Sequence, residues 1–85
     1  MSPPTRRQVA RAFGSLLRTA RNGAGLSQEK LAELANMDTS YPSLLERGLR
    51  TPSLLQLLSI ADALKTRPGM LVDMTAARLQ RESQT

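Results

Sequence analysis

The carboxylates of Glu29 and Glu33 are the pair of side chains whose spacing comes nearest to that of a catalytic site. Residues four apart lie side by side on a helix, and two such carboxylates can act as a general acid and a general base. Lys30 lies between them, however, and no third chemical group accompanies them. Solvated helix faces commonly carry this pattern. We therefore predict no catalytic residue and no enzymatic activity.

The residue types that other reactive sites need are absent. The sequence contains neither cysteine nor histidine, which excludes disulfides, thiolate nucleophiles, imidazole bases and metal sites built on histidine. We expect no metal and no cofactor. The chain has no apolar run long enough to cross a bilayer, and its first residues lack the apolar segment of a secretory signal. We expect a cytoplasmic protein without a membrane partner.

The charged side chains are biased toward arginine. Twelve basic residues outnumber seven acidic ones, which gives a formal net charge of +5, and ten of the basic residues are arginine. This balance favours polyanions, because each basic side chain set against a phosphate releases condensed counterions. Phe13 and Tyr41 are the only aromatic residues, too few to form a stacking platform for single strands. Duplex DNA is the expected partner.

Two short helical patterns joined by a tight polar break lie between Ser27 and Gly48. Ser27 suits a helix start, because its oxygen can accept a hydrogen bond from a free amide of the first turn. An apolar stripe at three-to-four spacing follows at Leu31, Leu34 and Ala35. Asn36 ends the pattern and is expected in the left-handed region, which asparagine tolerates better than most residues.

The second pattern predicts a helix over residues 38–47, with Asp38 as its cap. Pro42 is then the fourth helical residue; alternatively, the regular helix starts at Pro42 itself, where proline is favoured. Either arrangement stiffens the first turn. The predicted inward positions are Met37, Pro42, Leu45 and Leu49. The predicted outward positions are Thr39, Ser40, Ser43, Leu44 and Arg47.

The flanking segments predict three further helices and a basic arm. Residues 1–8 read as a flexible arm, and residues 9–22 as the first helix. A fourth helix starts after Pro52, with Ser53 and Gln56 as a capping box and an apolar stripe at Leu54, Leu57, Leu58, Ala61 and Leu64. A last helix starts near Pro68. We predict a compact all-α fold of five helices, with the DNA-binding domain at residues 9–71 and a C-terminal helix or tail at 72–85.

Several of these motifs, in order, resemble one family. The chain is similar to helix-turn-helix repressors of the phage lambda repressor and Cro type, also called the xenobiotic-response-element (XRE) type. The similarity covers residues 13–71 and rests on the runs FGSLLRTAR at 13–21, GLSQEKLAELA at 25–35, SLLERGLRTPSL at 43–54 and IADAL at 60–64. It implies a lambda-repressor-like domain with the helix-turn-helix at helices 2 and 3.

The resemblance implies a repressor-like transcriptional regulator that binds duplex DNA sequence-specifically, with the helix at about 38–47 in the major groove. By the same resemblance, Arg21 pairs with Glu46 and ties helix 1 to helix 3. Gln28 at the start of helix 2 faces a DNA phosphate. The expected phosphate contacts are Gln28, Tyr41, Arg47 and Arg50. Tyr41 can equally well pack against the corner between helices 2 and 3.

Base reading is expected from Thr39, Ser40, Ser43 and Leu44. None of the four can make the bidentate contacts with guanine or adenine that arginine, lysine, asparagine and glutamine make. Hydroxyl groups donate or accept, and Leu44 and the Thr39 methyl group can meet a thymine methyl. We therefore predict weak direct readout, with water and DNA shape contributing much of the discrimination.

Leu55 and Ile60 extend the apolar surface of the fourth helix beyond its stripe, so this helix needs a second burial partner, either the C-terminal segment or another subunit. We predict a homodimer, with Leu55, Met70 and Met74 at its interface; packing of the last helix within one chain is the competing interpretation. A dimer would match half-sites about one DNA turn, roughly 34 Å, apart. The alternative function is an antitoxin or other protein-interaction module that holds a partner with the C-terminal segment.

Overall fold

The computed structural model describes residues 2–83, and this part of the chain contains helices and no strands. The helices are α1 (Arg6–Gly23), α2 (Gln28–Leu34), α3 (Tyr41–Glu46), α4 (Leu54–Ala63) and α5 (Pro68–Ser83). The long α1 packs against α3 and α5, while α2 packs against α3 and α4, and α4 also packs against α5. The predicted all-α, five-helix fold is confirmed. None of the described helices is long and apolar enough to span a membrane.

Helix α1 begins earlier than the apolar pattern predicts. Thr5 and Gln8 form a capping box: Gln8 N donates to Thr5 Oγ1 at 3.1 Å, and Thr5 N donates to Gln8 Oε1 at 2.8 Å. These two bonds satisfy amides that a free helix end leaves unpaired, so the helix extends back to Arg6. The predicted arm at 1–8 is corrected accordingly: residues 6–8 are helical and residues 2–5 precede the helix, while Met1 lies outside the described residues.

The core is built from every helix. Its largest completely buried side chains are Leu16, Leu17, Leu31, Pro42, Leu45, Ile60 and Leu71. Four leucines predicted to face inward are instead exposed, namely Leu34, Leu49, Leu54 and Leu58. In α4 the side chains that meet the core are Ile60 and Ala61, with Leu57 and the C-cap residue Leu64 packed partly against it, and Leu54 and Leu58 lie on the exposed flank.

The predicted helix caps and turn residues are present. Ser27 accepts a hydrogen bond from Lys30 N at 3.0 Å, and Ser53 and Gln56 form the expected capping box. Asn36 has a φ of 54°, and Gly48, after α3, has a φ of 73°. These left-handed residues end α2 and α3 abruptly, so the chain reverses within a few residues on either side of α3.

Helix α5 is continuous across the predicted boundary at residues 71 and 72. Leu71 and Thr75 are buried on its inner side, where Thr75 Oγ1 donates to the Leu71 carbonyl at 2.8 Å. Arg78 also donates to Ser15 Oγ on α1. The inner side of the last helix therefore packs within its own chain, and residues 72–83 continue the helix that begins at Pro68. Residues 84–85 of the predicted tail lie outside the described part.

Candidate nucleic-acid interface

The turn that leads into α3 is organised by Asp38. Asp38 Oδ1 accepts hydrogen bonds from Ser40 N at 2.9 Å and from Ser40 Oγ at 2.6 Å, and the Ser40 hydroxyl and amide lower the pKa of Asp38. The backbone carbonyl of Asp38 accepts from Tyr41 N at 3.0 Å. Asp38 thus closes the turn instead of capping the helix, so α3 spans residues 41–46 where 38–47 is predicted.

Pro42 explains this displaced start. It is the second residue of α3 and is completely buried. Amides in the first turn of a helix have no partner within the helix, so a missing N–H there removes no hydrogen bond. Of the two arrangements that the sequence permits, the structure is closer to a helix that starts at the proline.

The four predicted base-reading residues lie on one side of this turn and helix. Thr39 and Ser40 precede the helix and are exposed, whereas Ser43 and Leu44 are half-buried on α3. The Ser40 hydroxyl donates to Asp38, which leaves its oxygen lone pairs available as acceptors. The hydroxyls of Thr39 and Ser43 have no partner among residues 2–83. Hydrogen-bonding capacity therefore faces outward along this surface.

Arg21 and Glu46 join α1 to the last residue of α3. Arg21 Nε donates to Glu46 Oε2 at 2.6 Å, and Arg21 Nη2 donates to Glu46 Oε1 at 3.0 Å. Arg21 Nη1 also donates to the Leu26 carbonyl at 2.8 Å. The Glu46 side chain is 0% exposed and that of Arg21 is 11% exposed. This two-point geometry fixes the orientation of both side chains.

Two further side chains complete the environment of Glu46. Gln28 Nε2 donates to Glu46 Oε1 at 3.1 Å, and Arg18 Nε lies 3.5 Å from the same oxygen. Burial alone raises the pKa of Glu46, but hydrogen bonds from Arg21, Gln28 and Arg18, with the charge of Arg21, bring it below its ordinary value. One amide hydrogen of Gln28, predicted to face DNA, is thus directed inward. The sequence does not indicate the contacts of Gln28 and Arg18 with Glu46.

Gly14 marks the point where α3 crosses α1. A Cβ at this position would collide with the carbonyl oxygens of Leu45 and Glu46, which belong to the backbone and cannot swing away. Only a residue without a side chain permits this approach. The role of Gly14 was not predicted, although a glycine inside a helical pattern is a signal of close packing.

The other predicted phosphate contacts differ in exposure: the two arginines, Arg47 and Arg50, are exposed, and Tyr41 is not. Arg47 and Arg50 are exposed in the segment after α3, where Arg50 Nη1 donates to the Leu49 carbonyl at 3.0 Å. Tyr41 is half-buried and packs against the core cluster. The ring of Tyr41 therefore takes part in the corner packing that the sequence also permits.

The predicted dimer residues Leu55, Met70 and Met74 are all exposed. Leu55 lies on α4, and the two methionines lie one turn apart on α5. Leu54, Leu58 and Val72 are exposed as well. Exposed apolar side chains are therefore concentrated on α4 and the first half of α5 in the single chain.

Comparison with known proteins places the chain in a family. A family model described as a helix-turn-helix domain matches residues 12–74. An uncharacterized HTH-type transcriptional regulator of Mycobacterium tuberculosis is 41% identical over 58 residues, which are 68% of this chain and 41% of that protein. The match thus spans about two fifths of that relative. Control protein C.BamHI of Bacillus amyloliquefaciens is 39% identical over 64 residues, 74% of this chain and 79% of that protein.

Two solved structures of regulatory proteins are also similar to this chain in sequence and in fold. The restriction-modification controller protein C.AhdI of Aeromonas hydrophila is 45% identical, with a TM-score of 0.71 over 73% of this chain and 94% of that one. The clp gene regulator ClgR of Corynebacterium glutamicum is 28% identical, with a TM-score of 0.83 over 98% of this chain and 85% of that one. The chain belongs to the helix-turn-helix family of the lambda repressor and Cro type.

Proposed function

We propose that this chain is a repressor-like regulator that binds duplex DNA sequence-specifically as a homodimer, with α3 and the turn before it in the major groove. The observation that carries the proposal is the outward surface of residues 39–44. Among residues 2–83 the hydroxyls of Thr39 and Ser43 have no partner. They lie on the turn before α3 and on α3 itself, which Arg21 and Glu46 tie to α1. A rigid helix with polar outer side chains is what base reading in the major groove requires.

Base reading is assigned to Thr39, Ser40, Ser43 and Leu44. Ser40 acts through its acceptor lone pairs, since its proton is directed to Asp38, whereas Thr39 and Ser43 can donate or accept. Leu44 offers an apolar contact for a thymine methyl. Because no side chain of this set makes a bidentate contact with a base, discrimination depends on the shape of the DNA and on bridging water.

Phosphate contacts are assigned to Gln28, Tyr41, Arg47 and Arg50. Arg47 and Arg50 supply charge at the end of α3. Gln28 is suited to bridging, since the amide group that donates to Glu46 retains a second hydrogen. The hydroxyl of Tyr41 serves as a phosphate donor while its ring packs on the core.

A homodimer is supported by the apolar surface of α4 and α5. Leu55, Met70 and Met74 remain exposed in the single chain, and a twofold dimer would bury them while presenting two copies of α3 to two half-sites. Proteins similar to this chain include a control protein, a restriction-modification controller protein and a clp gene regulator. We propose a regulatory role of this kind, without enzymatic activity and in the cytoplasm.

Selection from a random duplex library, combined with a mass measurement of the complex, tests the proposal. The expected result is a twofold-repeated half-site with a spacing of about one DNA turn, roughly 34 Å, bound by two copies of the chain. A library that shows no enrichment at low ionic strength would contradict it.

A further inference from the structure

Helix α1 carries a line of arginines on one side. Arg7, Arg11, Arg18 and Arg21 are spaced by four, seven and three residues, which places them along one face of a helix with 3.6 residues per turn. We call these four residues the arginine face. Gly14 lies on the same line, between Arg11 and Arg18.

The C-terminal end of α3 lies on this face. Arg21 and Arg18 contact Glu46, and Gly14 lies under the carbonyls of Leu45 and Glu46. Farther along, the Cα and Cγ of Arg11 lie 3.3 and 3.2 Å from where a Cβ on Gly48 would stand. The segment after α3 therefore runs along α1 toward its N-terminus, and Arg11 is a direct neighbour of the residue that follows Arg47.

The two halves of the arginine face differ in their contacts with acidic side chains. Arg21 is buried on Glu46, and Arg18, 58% exposed, shares that carboxylate. Arg7 and Arg11 are exposed and have no hydrogen bond or ion pair among residues 2–83. Arg47 has none either within that part of the chain. Three unpaired guanidinium groups thus belong to one continuous stretch of α1 and the adjoining loop.

The net positive charge of the chain also lies in the segment that contains α1. Residues 1–28 contain five arginines and no acidic residue, whereas residues 29–85 contain seven basic and seven acidic residues. The formal charge of +5 therefore originates entirely in the segment that contains α1. Basic groups without acidic neighbours repel each other, and this repulsion is relieved when a polyanion is bound.

We propose that Arg7 and Arg11 contact phosphates of the DNA backbone and extend along α1 the contact surface formed by Arg47 and Arg50. This inference rests on the proposed function, because it needs duplex DNA against α3. It assigns to α1 a DNA-binding role besides its packing role. The contacts are independent of sequence, since phosphates carry no base information.

The salt dependence of binding to an unrelated duplex tests this assignment. Replacing Arg11 with alanine should lower the slope of log K against log salt concentration by about 0.9, the value for one phosphate contact. The Arg7→Ala/Arg11→Ala variant should lower it by about twice as much. Arg11→Lys keeps the charge and should keep the slope. Circular dichroism of each variant checks that α1 remains helical.

Arg67→Ala is the matched control, because Arg67 is an exposed arginine in the turn between α4 and α5. It removes the same charge and should leave the slope unchanged. A slope that is unchanged in Arg11→Ala, or lowered equally in Arg67→Ala, would overturn the assignment while leaving the proposed function intact. A wild-type chain that binds no duplex at low salt would contradict the proposed function itself, and this assignment with it.

Discussion

The carboxylate of Glu46 on α3 is completely buried against the guanidinium of Arg21 on α1, with Nε 2.6 Å from Oε2 and Nη2 3.0 Å from Oε1. The pair holds the end of the six-residue α3, too short to be stable alone. Its main role is therefore to fix the angle of α3 relative to α1, because a buried ion pair contributes little net stability.

Breaking this pair should be costly. Arg21→Ala leaves the Glu46 charge buried without its main partner, and we expect a loss of roughly 3–5 kcal/mol in the free energy of unfolding. Urea denaturation measures it. Lys30→Ala is the control, because the exposed Lys30–Glu33 pair at 3.6 Å should contribute at most about 1 kcal/mol. Equal losses in the two variants would refute the structural role.

The acid sensitivity of the fold should depend on Glu46. Because its folded-state pKa lies below the ordinary value of 4.5, the unfolded state binds the proton more readily, and stability rises with pH through this range. The stability advantage of wild type over Glu46→Gln should be full above about pH 4.5 and decline below it. Urea denaturation of both proteins over a pH series measures this difference. An advantage that grows on acidification would show the opposite shift.

Gly14 should not tolerate a side chain. Gly14→Ala forces a methyl group against the carbonyls of Leu45 and Glu46, and overpacking of this kind typically costs roughly 1–3 kcal/mol. Gly69→Ala is the control, since a Cβ at Gly69 meets no atom within 4 Å, and it should be neutral or stabilising by up to about 1 kcal/mol. Thermal denaturation compares them. Indistinguishable melting temperatures would mean that the α1–α3 crossing is looser than described.

Arg47 should contribute affinity without specificity. In Arg47→Ala we expect weaker binding to a selected operator and to an unrelated duplex by the same factor, with a salt slope lower by about one. Fluorescence anisotropy over a salt series measures both quantities. If the variant lost affinity for the operator alone, Arg47 would be reading bases.

Sequence signals between neighbouring residues predicted many of the helix ends and turns. Ser27, Asn36 and the Ser53–Gln56 capping box have the expected roles, because caps and left-handed turns depend on neighbouring residues. The Thr5–Gln8 capping box carries the same kind of signal and could have been identified from the sequence.

Features that depend on how helices meet could not be predicted in this way. Asp38 closes a turn instead of capping α3 because the buried Pro42 displaces the helix start. Leu54 is exposed because α4 meets the core through Ile60 and Ala61 instead. Gln28 turns toward Glu46 because that carboxylate is buried beside it. Each outcome depends on long-range packing, which residue spacing does not encode.

The most direct measurement is the ratio of dissociation constants for an unrelated duplex and a selected operator, in wild type and in Thr39→Ala/Ser43→Ala. Neither hydroxyl has a partner in the described chain, so their removal should leave the fold and the affinity for unrelated DNA unchanged. The predicted result is a ratio well above one in wild type that falls in the variant. An undiminished ratio in a folded variant would contradict base reading by this surface.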